Sequence, residues 1–339
     1  MAHRLARSIA SSGLVAWLVL APPGPTAGPV AGSSDIAFVS RRDGNWEIYR
    51  MDAAGGNQRR LTRRGAEDRF PLWSPDGRQI AFASQVGRVW ELWVMNPDGA
   101  EQRRIASDIV AKSTRGWSPD SRTIAFAARS DSNVDIYVVD VRSGRSTRLT
   151  SSLGEDRDPC WSPDGTQLAF SSTRTGTPQV YVIGVDGSGE RRFTNATSAA
   201  VPRWSPDGKS IAFVSERDGA RDLYLGSAEG RDIRRLTVAA HVTGDPPLWS
   251  PDGSRIAFQI ANARNYDIGV VRVEDGNRSS LASSSEYDGS YTWSPDGTHL
   301  AFISAREGFD GLYVADVGGH PVVRLTATAS LTPAWGSQR

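Results

Sequence analysis

The stretch Phe70–Ser84, FPLWSPDGRQIAFAS, is the one whose reading decides the fold, because the chain writes it again and again. W-S-P-D recurs at Trp73, Trp117, Trp161, Trp204, Trp249 and Trp293, at intervals of 44, 44, 43, 45 and 44 residues. In S-P-D-G, Pro presets φ for the second turn position, Asp bonds nearby backbone amides, and Gly accepts a positive φ. A short apolar strand follows each turn: QIAF, TIAF, QLAF, SIAF, RIAF, HLAF. After a polar loop comes a second one: ELWVM, DIYVV, QVYVI, DLYLG, DIGVV, GLYVA. A glycine turn leads to a third of the form RRLT, and segments such as RFPLW and DPPLW supply one more strand before each tryptophan. Each unit of ~44 residues therefore holds four strands bounded by turn signals.

One such unit cannot bury both faces of its sheet. Radial stacking buries them and leaves only short, protected edges, which defines a β-propeller. The two ends of the chain set the blade count. DIAFVS, WEIYRMD and RRLT over residues 35–62 are three strands lacking a first, and SLTPAW, ending at Trp335, is a first strand lacking the rest. Joined, they make a seventh unit. The expectation is an all-β, seven-bladed propeller of four-stranded blades over residues 35–339, with blade one closed by the carboxy-terminal strand, which removes an aggregation-prone edge.

The pattern P-x-W-S-P-D-G-x-x-I-A-F followed by I-Y-V, as in FPLWSPDGRQIAFAS and DPCWSPDGTQLAFSS, resembles the repeat of TolB-like propeller proteins, and the resemblance runs from about Asp35 to Trp335. It implies the propeller fold, and through TolB itself, which binds a peptidoglycan-associated lipoprotein, a binding role in the cell envelope. Two features depart from TolB proper. The strands follow the leader directly, with no α/β domain before them, and the units number seven rather than six. The same repeat also occurs in propeller domains of serine peptidases and in sugar-active propellers, so it speaks for fold more than for function.

Residues 1–33 read as a signal peptide: a basic MAHRLAR, the apolar run IASSGLVAWLVLA, then PPGPTAGPVAG with small residues for cleavage at roughly 27–34. The apolar run falls short of the ~20 residues that span a bilayer. The expectation is a periplasmic or secreted protein with no membrane span once the leader is removed. The formal net charge of +1 gives no field for nucleic acid. Cys160, the one cysteine, cannot form an intramolecular disulfide and reads as a space-filler.

A residue repeated in every blade belongs to the scaffold, so a site is sought where blades differ. Strands before the tryptophans line the channel, and their loops share a face with the loops joining strands two and three. That face is the default binding surface. The departures there are Asp68, Arg69, Lys112, Arg115, Asp156, Arg157, Asp158, Arg203, Asp245, Tyr287, Asp288 and Tyr291. This ring of charges and tyrosines suits a peptide, a sugar or a metal; the alternative is solvated loop charges and ion pairs between blades. A loop arginine also recurs (Arg42, Arg88, Arg129, Arg174, Arg217, Arg264, Arg306), with an acid such as Glu47, Glu91, Asp135 or Asp222 after it, and reads as an ion pair spanning the hairpin. Trp46, Trp90, Tyr266 and Phe309 beside these loops suit either a partner-binding rim or packing against a neighbouring loop.

No G-x-S-x-G occurs, and His241, His299 and His320 are scattered, so neither a serine peptidase nor a histidine-rich metal site is written here. No catalytic residue, metal ligand or cofactor is assigned, Ca²⁺ on the mouth carboxylates being the one ion considered. The reading is a monomeric scaffold that binds an envelope or secreted protein or peptide. The competing one is a lyase or hydrolase using channel-mouth carboxylates, with or without a divalent metal.

Overall fold

A computed structural model describes residues 35–113, 116–130, 133–262, 265–282, 284–319 and 321–336. The leader, its cleavage region, Arg115, Arg264 and His320 lie outside the described residues. The chain forms seven four-stranded antiparallel sheets. In blade 2 these are Glu67–Trp73, Ile80–Val86, Val89–Met95 and Arg103–Ala106, in order from the channel outward. First strands of successive blades touch from blade 3 round through blade 1 to blade 2, and the Trp117 indole closes the circle by donating to the Leu72 carbonyl. Blade 1 takes its first strand from the far end of the chain: Ser330–Trp335 pairs with Ile36–Ser40, Ile36 opposite Trp335 and Ser40 opposite Ser330.

The core follows from the repeat. It is seven apolar clusters, one between each pair of neighbouring blades. The phenylalanine of each I-A-F or L-A-F strand is fully buried in all seven blades, each worth about 1.5–3 kcal/mol relative to exposure. In six blades it pairs with an aromatic of the third strand, as in Phe170–Tyr181, with ring centroids 5.9 Å apart. Blade 6 has Gly269 there instead. A Cβ on it would lie 2.9 Å from Phe258 and 2.8 Å from Ile260, so those two side chains occupy the space.

The tryptophans bind blade to blade. Trp117, Trp161, Trp249 and Trp293 each donate an indole N–H to the carbonyl of the residue before the previous blade's tryptophan, at 2.7–3.2 Å. The turns do the same. Ser162 Oγ donates to Asp164, and Asp164 accepts the Thr166 amide; the Ser162 bond chiefly holds its carboxyl below the ordinary value. Gly208 (φ 72°) lies against Pro163 of the preceding blade, where a Cβ would come within 3.1 Å of the ring. Gly208→Ala is expected to cost about 1–2 kcal/mol, the penalty of a left-handed Cβ, read as a lower denaturation midpoint. Blade 3 has Ser121 at this position (φ 61°), and its hydroxyl accepts the Asp76 amide of blade 2.

Two features differ from the sequence expectation. Blade 3's first strand is only Gly116–Trp117, preceded by a 3₁₀ turn at Ala111–Ser113 and an isolated bridge between Ile109 and Ala128. Lys112–Arg115 is a polar run with nothing to bury at alternate positions. Secondly, the first strands of blades 1, 2, 4, 5 and 7 each bulge three residues before the tryptophan. Thr332, Phe70, Asp158, Val201 and Ser290 there have φ between 40° and 57°. For β-branched Val201 and Thr332 this is a strained conformation. The turned amides are used between blades: Val201 donates to Ser171 Oγ and Ser290 to the Asp245 carboxylate.

Candidate functional site at the channel mouth

The recurring arginines and acids form two separate devices, which corrects the expectation of one pair spanning the hairpin. The acid at the start of the third strand is buried and binds the arginine of the fourth: Glu47 with Arg60 at 2.7 Å, Glu91 with Arg104 at 2.8 Å, Asp135 with Arg148 at 2.6 Å, and Asp222 with Arg235. The threonine of R-L-T completes the clamp. Thr62 Oγ1 accepts the Ile48 amide and donates to Glu47, and Thr237 repeats this with Leu223 and Asp222. The register explains why. Tyr49 stands opposite Arg60, which places the fourth-strand guanidinium over the third strand's entry.

The loop arginine instead turns inward. Arg174 donates to Ser172 Oγ at 2.8 Å and to Asp156, and Arg306 donates to Ser304 Oγ at 2.8 Å and to Asp288. Each lies over the Phe–Tyr pair of its own blade, as does Arg42. In blade 2 that place is taken by Arg64, which reaches Asp68 and lies 3.6 Å from the Trp93 ring centre.

Of the twelve predicted site residues, the structure therefore puts Asp68, Asp156 and Asp288 beneath the mouth, fully buried, as acceptors for these arginines. It gathers Arg69, Lys112, Arg157 and Asp158 around one open groove of about 630 Å³ between blades 2, 3 and 4, together with Phe70, Trp90, Arg88 and Arg129. Arg69 and Arg157 are held by Glu67 and Glu155, both at 2.9 Å. Arg203 and Tyr291 lie deeper, lining a cavity of about 290 Å³ in the channel with Leu72, Cys160 and Leu248. Arg203 is buried there and donates to the Pro202 carbonyl, while Tyr291 donates to the Pro246 carbonyl. Phe70 and Ala111 line both spaces, so groove and channel cavity are neighbours. Tyr287 stands across the mouth, edge-on to Tyr266 at 5.9 Å. Burial, then Asp245, raises its hydroxyl above the ordinary value. Arg115 lies outside the described residues.

Arg88 and Arg129 were grouped with the scaffold by their recurrence, and the structure separates them from it. A signal existed in the chain: only the second unit reads LTRRG, and its extra arginine takes over the inward role. The hairpin is also tight, with only Gly87 and Arg88 between Val86 and Val89. Of the mouth aromatics, Trp90 packs on Phe70, Trp46 lies between Arg41 and Arg69, and Phe309 meets Arg324. Among the described residues, no group of three or more His, Cys, Asp or Glu is placed to hold a metal ion, and no helix is long and apolar enough to cross a membrane.

Seven blades and a strand borrowed from the other end of the chain define a closed β-propeller. The chain belongs to the TolB beta propeller domain family, whose profile matches residues 110–200 and 240–338, more than half of it. Over 53 residues, 16% of this chain and 12% of the relative, it is 47% identical to the Tol-Pal system protein TolB of Geobacter sulfurreducens. The crystal structure of TolB from Acinetobacter baumannii superposes with a TM-score of 0.59 at 19% identity, over 89% of this chain and 66% of that one. An oligogalacturonate lyase in complex with manganese superposes with a TM-score of 0.69 at 20% identity, over 84% and 86%. At such identities the two structures speak for the fold alone.

Proposed function

We propose that this propeller is a binding scaffold that acts outside the cytoplasm and holds a peptide or a protein segment at its channel mouth, without chemistry of its own. The observation that carries this reading is the fate of the mouth carboxylates. Asp68, Asp156 and Asp288 are buried as acceptors for scaffold arginines, while the open groove is bordered mainly by aromatic and cationic side chains, with Asp108 and Asp158 among them. The leader-like first residues and the likeness to a Tol-Pal system protein support export and an envelope partner. The competing reading, a lyase or hydrolase with or without Ca²⁺ or Mn²⁺, needs those carboxylates to face a substrate.

The test places a photo-crosslinking side chain either at Asp108, in the mouth groove, or at Glu229, on the opposite face. Irradiation in envelope extract is expected to trap one discrete partner from Asp108 and none from Glu229. Equal trapping from Glu229 would place the partner elsewhere. Turnover of an oligouronide, with a melting temperature raised by manganese or calcium, would favour the enzyme.

A further inference from the structure

We infer that the partner segment is acidic, and that its carboxylates are received in the groove between blades 2, 3 and 4 by Arg88, Lys112 and Arg129. This rests on the peptide-binding reading above. The argument begins with what arginine does elsewhere in the ring. In blades 1, 4 and 7 the loop arginine is folded onto its own aromatic pair and bonded to a serine. In blade 5 Arg217 lies over Tyr224. Arg88 is displaced from that role by Arg64, and Arg129 makes no such contact over the Phe126–Tyr137 pair among the described residues. Neither side chain, nor that of Lys112, takes part in a hydrogen bond or ion pair among the described residues, and all three are exposed. Nearby Glu155 is already paired with Arg157, which, helped more weakly by Arg129, outweighs burial and holds its carboxyl below the ordinary value.

Arg88, Lys112 and Arg129 border a groove whose lining carries five basic side chains against two acidic ones, Asp108 and Asp158. An acidic ligand complements that excess, and two guanidinium groups receive carboxylates in bidentate fashion. Phe70 and Trp90 form an apolar wall at 6.2 Å between ring centres, which suits side chains alternating with the acidic ones of an extended segment. A groove of this size accommodates several residues of peptide rather than a lone ion.

The experiment titrates the full propeller with a fluorescent peptide of alternating glutamate and leucine, its glutamine counterpart, and an oligogalacturonate. The glutamate peptide is expected to bind, more weakly as salt rises. The triple variant Arg88→Gln, Lys112→Gln, Arg129→Gln is expected to lose about tenfold or more in affinity with an unchanged melting temperature. A control variant, Arg122→Gln, Arg142→Gln, Lys209→Gln, makes the same charge change outside the groove and is expected to keep it. Equal loss in the control, or no binding of the glutamate peptide, overturns the inference. Equal binding of the glutamine peptide overturns the acidic specificity while leaving the peptide scaffold standing. Binding of the oligogalacturonate in preference to both peptides overturns the inference and the scaffold reading together.

Discussion

Truncation after Leu325 lowers the melting temperature by about 10 °C or more and leaves a chain that self-associates. The deletion removes Ser330–Trp335, the first strand of blade 1, and with it the backbone pairing to Ile36–Ser40. It also removes Trp335 from the cluster that joins blades 1 and 7. Loss of one buried Trp side chain costs about 3–5 kcal/mol, and the lost ladder adds to that. In a chain of this size each kcal/mol moves the midpoint by about 1.5–2 °C. The exposed edge of Ile36–Ser40, buried along its whole length in the intact ring, then offers unpaired amides and carbonyls to another copy. Calorimetry and size-exclusion chromatography read the two effects. An unchanged midpoint would show that the ends do not close the ring.

A second large effect separates two buried aspartates that look alike in the sequence. Asp222→Asn is expected to destabilise by about 3–5 kcal/mol, the usual result of breaking a buried, paired charge, whereas Asp68→Asn, which leaves the partly exposed Arg64 within reach of water, is expected to cost clearly less. Asp222 accepts from Arg235, Thr237 and the amides of Ala239 and Ala240. Burial pushes its carboxyl up, but Arg235, the Ala240 amide and Thr237 together outweigh that and hold it below 3.8. Its stabilisation is therefore present above the unfolded value and is lost as pH falls through the lower folded one. Asp68 has burial as its dominant influence, only partly offset by Ser84 and Arg64, and one of its oxygens has no partner. Its carboxyl is raised, so the folded state binds the proton more readily, and this group's unfavourable contribution is relieved as pH falls through its folded value. Chemical denaturation of both variants at neutral pH and near pH 3, below the ordinary carboxylate value, checks the sign. The Asp222→Asn penalty should shrink toward low pH, and a constant one would contradict the assignment.

Most of the scaffold was legible because every local signal was written many times over. The tryptophan spacing, the turn chemistry and the I-A-F strands agree in each copy, and the ends name each other as parts of one blade. The left-handed bulge was not legible. Phe70, Asp158, Val201, Ser290 and Thr332 share no side-chain property, and no glycine marks the position. The conformation is set by how each first strand meets its neighbour, which lies outside the local sequence. The site was half legible for a related reason. Difference between blades singled out Arg69, Lys112, Arg157 and Asp158, and the structure sets these four around one groove. It could not tell that Asp68, Asp156 and Asp288 point into the scaffold, since burial of a carboxylate depends on an arginine from another loop. It also hid Arg88 and Arg129, whose identity repeats while their role does not.

The most direct test of the account is hydrogen exchange on the propeller with and without the glutamate peptide. Slowed exchange is expected in the segments around Val86–Trp90 and Asp108–Lys112 and at Arg157–Asp158, which border the basic groove, with the W-S-P-D turns unchanged. Protection confined to those turns, on the opposite face and shared by every blade, would contradict the claim that binding is carried where the repeats differ.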